Sequence, residues 1–144
     1  MKIIHALMAV GVMLFASQAV MASHRTCQGY EATIIGTDHA EVIHGTHGPD
    51  VIWAGAGDDT IYGYGGADII CGEGGDDTIY GGFGRDKLAG NKGDDKLFGG
   101  PGSDRLRGGA GDDWMHGGFG RDWMSGGPGY DMCRDRGHQV YACP

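Results

Sequence analysis

The sequence predicts an all-β fold, a parallel solenoid of two facing sheets. A nine-residue period runs from Gly36 to Arg134 without a slipped residue. Every period carries an acid and an apolar residue at fixed places, and a second alternation repeats every eighteen residues. Eleven nonads fill the segment, 99 residues divided by nine. A period this short and strict is the signature of a coiled, stacked chain.

The slots are well defined. The first is Gly except at Ala54, and the fourth is Gly except at His39. The sixth is always acidic: Glu41, Asp50, Asp59, Asp68, Asp77, Asp86, Asp95, Asp104, Asp113, Asp122 and Asp131. The eighth is always apolar, from Ile43 through Leu88 to Met124 and Cys133. The thirty-one glycines alone would suit a flexible linker. A linker, however, has no reason to place an apolar residue two positions after an acid in every nonad.

The first six slots read as turn, where glycine supplies positive φ or close backbone approach. The last three read as a short strand, with the eighth side chain inward and the seventh and ninth outward. The fifth slot alternates, with Asp58, Asp76, Asp94 and Asp112 in odd nonads against Ala67, Arg85, Ser103 and Arg121 in even ones. Two nonads therefore make one coil, and odd and even turns stack along opposite edges. Coils are expected ~4.8 Å apart, the strand spacing of any sheet.

Residues 1–22 read as a signal peptide. Lys2 leads, Ile3 to Phe15 is apolar apart from His5, and Val20-Met21-Ala22 resembles a processing site. An uncleaved anchor from Ile3 to Ala22 is the alternative; after cleavage no membrane span is expected. Residues 23–35 are expected to form an N-terminal cap, with Thr33-Ile34-Ile35 as the strand of a degenerate nonad. Residues 36–134 are the repeat domain, and 135–144 a C-terminal tail. Four cysteines agree with a secreted or extracellular protein, with periplasm or cell surface as variants of that destination. They allow three pairings. Cys133–Cys143 is favoured because it closes a short loop, which leaves Cys27–Cys71.

The core is thin for so much glycine. One inward side chain per nonad buries little apolar surface against the entropy of ordering the chain. Sixth-slot carboxylates would meanwhile stack in two repelling columns. Both facts call for positive charge between coils. Carboxylates and peptide carbonyls make an all-oxygen site, which suits Ca2+ because it accepts six or more oxygens in loose geometry. Zinc would want nitrogen or sulfur. Sites between neighbouring coils would pair Asp59 with Asp77 or Asp68 with Asp86. Carried from Asp50 to Asp131, this gives up to about eight ions, and folding would depend on them.

The pattern GGxGxDxUx, with U apolar, stands at GGFGRDKLA from Gly81 and GGAGDDWMH from Gly108. It resembles the RTX or hemolysin-type calcium-binding nonapeptide. The resemblance implies a parallel β-roll with calcium between turns. It also implies a ligand set: Asp50, Asp59, Asp68, Asp77, Asp86, Asp95, Asp104, Asp113, Asp122 and Asp131, with turn carbonyls such as those of Gly57, Gly75, Gly93 and Gly111. The first nonad departs from the pattern at Thr37, His39 and Glu41.

Other features have plainer readings. Tyr62, Tyr80 and Phe98 occupy alternate ninth slots, flanked by His44 and His116, and predict an outward aromatic ladder. Trp114 and Trp123 are expected on opposite faces, covering the C-terminal end. Lys87, Lys96 and Arg105 read as solvated strand positions. His39, His44 and His47 read as solvated turn residues rather than a transition-metal site. Ser103 and Ser125 lack a partnered His and Asp, so no catalytic site is expected. A net charge of −8 argues against nucleic acid. The expected function is a secreted calcium-binding module with a structural or adhesive role toward a cell-surface, glycan or protein partner. An accessory module of a secreted hydrolase or toxin is the alternative.

Overall fold

The computed structural model describes residues 25–136 and Cys143. The expected signal peptide and nearly all of the expected tail lie outside the described residues. Among those described, sixteen short strands occur and no helix. Among the described residues no helix is therefore long and apolar enough to cross a membrane.

The chain coils as a β-solenoid with two parallel sheets. One sheet runs through Val42–His44, Thr60–Tyr62, Thr78–Tyr80, Lys96–Gly102, Trp114–Gly120 and Met132–Arg134. The other runs through Ile34–Ile35, Val51–Ala56, Ile69–Gly74, Lys87–Lys92, Arg105–Ala110 and Trp123–Ser125. These are the odd and even nonads respectively. Pairing is parallel with an eighteen-residue offset, as in Ile61 with Ile79 and Leu88 with Leu106. The β-roll expected from the alternation is the fold observed.

The eighth-slot side chains form one continuous core between the sheets. Ile52, Ile61, Ile70, Ile79, Leu88, Leu97, Leu106, Met115 and Met124 are each 0% exposed. Strand pairing extends further than the expected three residues. It continues through the ninth slot into the turn, where Asn91 pairs with Gly109 and Lys92 with Ala110. Turn glycines thus join the ladder, as in Gly93 N–H donating to Ala110 O at 2.9 Å. The fold meets its demand for backbone hydrogen bonds largely inside the turns.

From the third nonad on the second slot holds positive φ, which glycine supplies at Gly82 and Gly100. Tyr64, Glu73 and Asn91 hold φ of 71°, 83° and 81° at the same slot, where a side chain is strained. For Tyr64 the strain has a visible return. Its ring stacks on His44 and Tyr62, and its hydroxyl lies 2.8 Å from His44 Nδ1. The expected ladder is present beside it: Tyr62 to Tyr80 at 5.0 Å and Tyr80 to Phe98 at 4.7 Å, both stacked. Trp114 does not cover the end of the coil. It packs edge-on against Phe98 and extends the ladder, while Trp123 stays 45% exposed on the other side.

Both disulfides, Cys27–Cys71 and Cys133–Cys143, are formed. Ile34–Ile35 pairs with Ile52–Trp53 and adds the outermost rung of the even sheet. The residues before it turn away. Thr26–Cys27 and Tyr30–Glu31 make an antiparallel hairpin that lies on the outer face of that sheet. Cys27 is buried there with Cys71 and Ala89, which occupy ninth slots. The Arg25 guanidinium sits 4.2 Å from the Trp53 ring, and the Lys87 ammonium 4.9 Å from that of Tyr30.

Ile79→Ala is expected to cost about 2–5 kcal/mol, since a core one side chain wide cannot close the cavity. Lys96→Ala, on the exposed seventh slot, is expected to stay within about 0.5 kcal/mol. Denaturant unfolding of the calcium-saturated protein checks both.

Candidate metal centre

The acid in each nonad sits where the turn enters the strand. Its backbone is fixed from both sides, as in Thr78 N–H donating to Asp59 O at 2.8 Å. The carboxylate is then aimed along the coil axis. Asp59 N–H donates to Asp77 Oδ1 at 2.9 Å, and Asp77 N–H donates to Asp95 Oδ1 at 2.8 Å. On the other edge Asp68 N–H donates to Asp86 Oδ1, and Asp86 N–H to Asp104 Oδ1, both at 2.9 Å. Each acid is thereby tied to the same slot one coil away. The pairs expected to share an ion are the pairs brought together.

The second oxygen has no such bond. Oδ2 of Asp59, Asp68, Asp77, Asp86, Asp95, Asp104 and Asp113 is buried without a hydrogen-bond partner, and Asp131 repeats the arrangement. These aspartates are at most 1% exposed from Asp59 to Asp113. A buried carboxylate oxygen left unpaired is costly, so its environment must be completed by something.

The first-slot glycines indicate what. A methyl group built on Gly81 would sit 2.7 Å from Asp86 Oδ2 and 2.8 Å from Gly99 O. One built on Gly99 would meet Asp104 Oδ2 and Gly117 O, each at 2.6 Å. The orphaned oxygens therefore share the open side of each glycine with a carbonyl from the next coil. Glycine is required here for space rather than for φ. Among the described residues no three His, Cys, Asp or Glu side chains converge. The donor set is carboxylate plus peptide carbonyl, all oxygen, which fits a hard cation with many loose ligands and fits Ca2+ best.

First-slot carbonyls such as those of Gly99 and Gly117 were not singled out from the sequence. The strict first-slot glycine was the signal for them. The fourth-slot glycines Gly57, Gly75, Gly93 and Gly111 turn the chain two residues before each sixth-slot acid. They hold positive φ on the odd edge, with the Gly75 carbonyl packed against Gly93 beside Asp76 Oδ1. The fifth-slot acids form their own exposed ladder in the opposite sense: Asp76 N–H donates to Asp58 Oδ1, and Asp94 N–H to Asp76 Oδ1, both at 2.9 Å.

The N-terminal nonads differ. Asp50 Oδ2 accepts from Thr46 N–H at 2.7 Å and from the Thr46 hydroxyl at 3.0 Å. Glu41 accepts from Thr37 N–H at 2.6 Å and from its hydroxyl, which holds the Glu41 carboxyl below its usual range. Threonine in the second slot thus supplies the donors that a cation would replace. Asp50 has its Oδ2 already engaged, which sets it apart from Asp59 through Asp113. His44 is drawn into the aromatic ladder, stacked on Tyr62.

Burial raises the carboxyls in mid-coil. Asp77, Asp95 and Asp104 are pushed up to about 7, and Asp68 and Asp113 to about 6. Desolvation is the main cause. The N–H from the neighbouring coil pulls the other way, and adjacent carboxylates add to the rise. A folded pKa above the unfolded one favours the folded state at low pH. That advantage is full below about 4 and is lost as pH rises through about 7. The metal-free coil is therefore expected to lose sheet content from pH 4 to pH 8 and calcium to restore it, with proton release where calcium meets the still-folded, protonated coil at about pH 5. Circular dichroism across that range, with and without chelator, checks the sign.

Asp104→Asn keeps the Oδ1 acceptor and removes a buried charge. It is expected to lower calcium stoichiometry while raising the stability of the chelated protein. Asp76→Asn, on the exposed ladder, is expected to do neither. Calorimetric titration separates the two.

The RTX calcium-binding nonapeptide repeat matches this chain in four copies, at residues 35–70, 62–97, 72–106 and 98–133. A search of curated proteins finds no match. The four copies span the whole coil, and their repeats are of the calcium-binding kind. With its parallel β-roll and its stacked sixth-slot aspartates, the chain belongs to the RTX calcium-binding nonapeptide repeat family.

Proposed function

We propose that this chain is a secreted protein that folds when calcium bridges its coils, and that the folded roll serves outside the cell as a structural or adhesive module. The observation that carries the reading is the pair of columns of buried Oδ2 atoms without partners. In the proposal each ion takes Oδ2 of sixth-slot aspartates together with first-slot carbonyls, and neutralises charge that the coil otherwise confines. The two disulfides suit an oxidising, calcium-rich compartment.

The magnitudes are adequate. Suppose a site binds at ~0.1 mM and free calcium is ~1 mM, typical of extracellular modules. Each site then adds about 1.4 kcal/mol, and about eight sites add roughly 11 kcal/mol. That equals the net stability of an ordinary domain. Low affinity per site keeps the chain unfolded where calcium is scarce and folds it where calcium is plentiful.

Far-ultraviolet circular dichroism of the mature chain is expected to show a cooperative gain of sheet with calcium. Magnesium, which holds its water and demands a tight octahedron, is expected to give little. Full sheet content in chelator at pH 8, where the sixth-slot aspartates are ionised, would defeat the proposal.

A further inference from the structure

The two edges of the roll differ in charge. On the odd edge the fifth slot is Asp58, Asp76, Asp94 and Asp112, all exposed. On the even edge an open groove of about 870 Å³ runs along the coil axis. Arg85 and Arg121 stand on its fifth-slot wall, and Lys87 and Arg105 on its seventh-slot wall. Its floor is Asp68, Asp86, Asp104 and Asp122. Four basic residues and four acids line the groove, which is therefore near neutral before calcium binds, and the Lys87 ammonium also lies over the Tyr30 ring. Calcium between the coils would neutralise the floor and leave the walls positive.

We propose that this groove binds an extended acidic polysaccharide, carboxylated or sulfated, once calcium is in place. The inference rests on the calcium reading above. Charge complementarity points to the class: a chain of net charge −8 concentrates four of its eleven Lys and Arg along one cleft. An acidic peptide would find no main-chain donors on the floor. Asp68 N–H and Asp86 N–H are spent on carboxylates, and Lys87 N–H and Arg105 N–H on the carbonyls of Asp68 and Asp86. A sugar polymer needs only the side chains: guanidinium groups for its anions and the exposed Trp123 ring at the groove's end for a pyranose face. The aromatic ladder on the odd sheet is a poorer platform, because its stacked rings spend their faces on one another.

The test is titration of the calcium-saturated protein with heparin oligosaccharides and oligogalacturonate. Neutral dextran and phosphatidylglycerol vesicles serve as comparison ligands. The anionic oligosaccharides are expected to bind, more weakly as salt rises, and dextran not at all. The double substitution Arg85→Glu with Arg121→Glu is expected to weaken binding by at least about tenfold. Its calcium-induced sheet spectrum should match wild type. Arg85→Gln with Arg121→Gln stands in if the reversal does not fold. Asp58→Asn with Asp94→Asn, on the opposite edge, is expected to leave binding unchanged. A fully folded, calcium-loaded protein that ignores both oligosaccharides would overturn the groove proposal alone. So would binding that survives loss of both arginines, or binding to vesicles without binding to sugars. Absence of any calcium-induced spectrum would instead overturn the reading beneath it.

Discussion

The structure depends on burying a row of carboxylates inside a coil that has little else to bury. Asp77, Asp95 and Asp104 are almost wholly removed from solvent, stacked on one another's backbone, with one oxygen satisfied and one not. Desolvation lifts their pKa to about 7. A protein that used aspartate merely to shape a turn would leave it at the surface, as the fifth-slot acids are left. Placing the charge inside makes the fold conditional. Protons relieve it partially, and a divalent cation with room for several oxygens relieves it fully.

Glycine serves the same constraint. At the first slot it clears the space that Oδ2 and the next coil's carbonyl face, as at Gly81 and Gly99. At the second and fourth slots it permits the positive φ that turns the chain within six residues. The resulting backbone is flexible when unfolded and has a core only one side chain wide. Little intrinsic stability remains, which suits the proposal that the chain orders on binding the ion. The N-terminal hairpin and the Cys27–Cys71 bridge bind coils together from outside, at Trp53, Cys71 and Ala89. In the proposed account metal bridges act along the two edges, and the hairpin acts on one face.

Most of the architecture was legible in the sequence because the repeat is strict. Ile61, Leu88 and Met115 share one slot, so a single inward assignment placed the whole core. The alternation of Asp58 and Asp76 with Ala67 and Arg85 told odd edge from even. What escaped had no periodic mark. Tyr64 joins the aromatic ladder from a second slot, where a strained φ turns its ring back onto His44. Residues 26–31 fold over a sheet face through contacts that no nonad spells out. Thr46 supplies donors to Asp50, which a count of acids passes over. The first-slot carbonyls carry only an indirect mark, the strict glycine that leaves room beside them.

The most direct measurement is a crystal structure of the calcium-loaded protein with anomalous scattering to locate the ions. The account predicts ions in two columns, one coil apart, each touching sixth-slot Oδ2 and a first-slot glycine carbonyl. Oδ2 atoms of Asp77 and Asp86 found bonded to water, with ions only along the exposed fifth-slot ladder or absent, would contradict it.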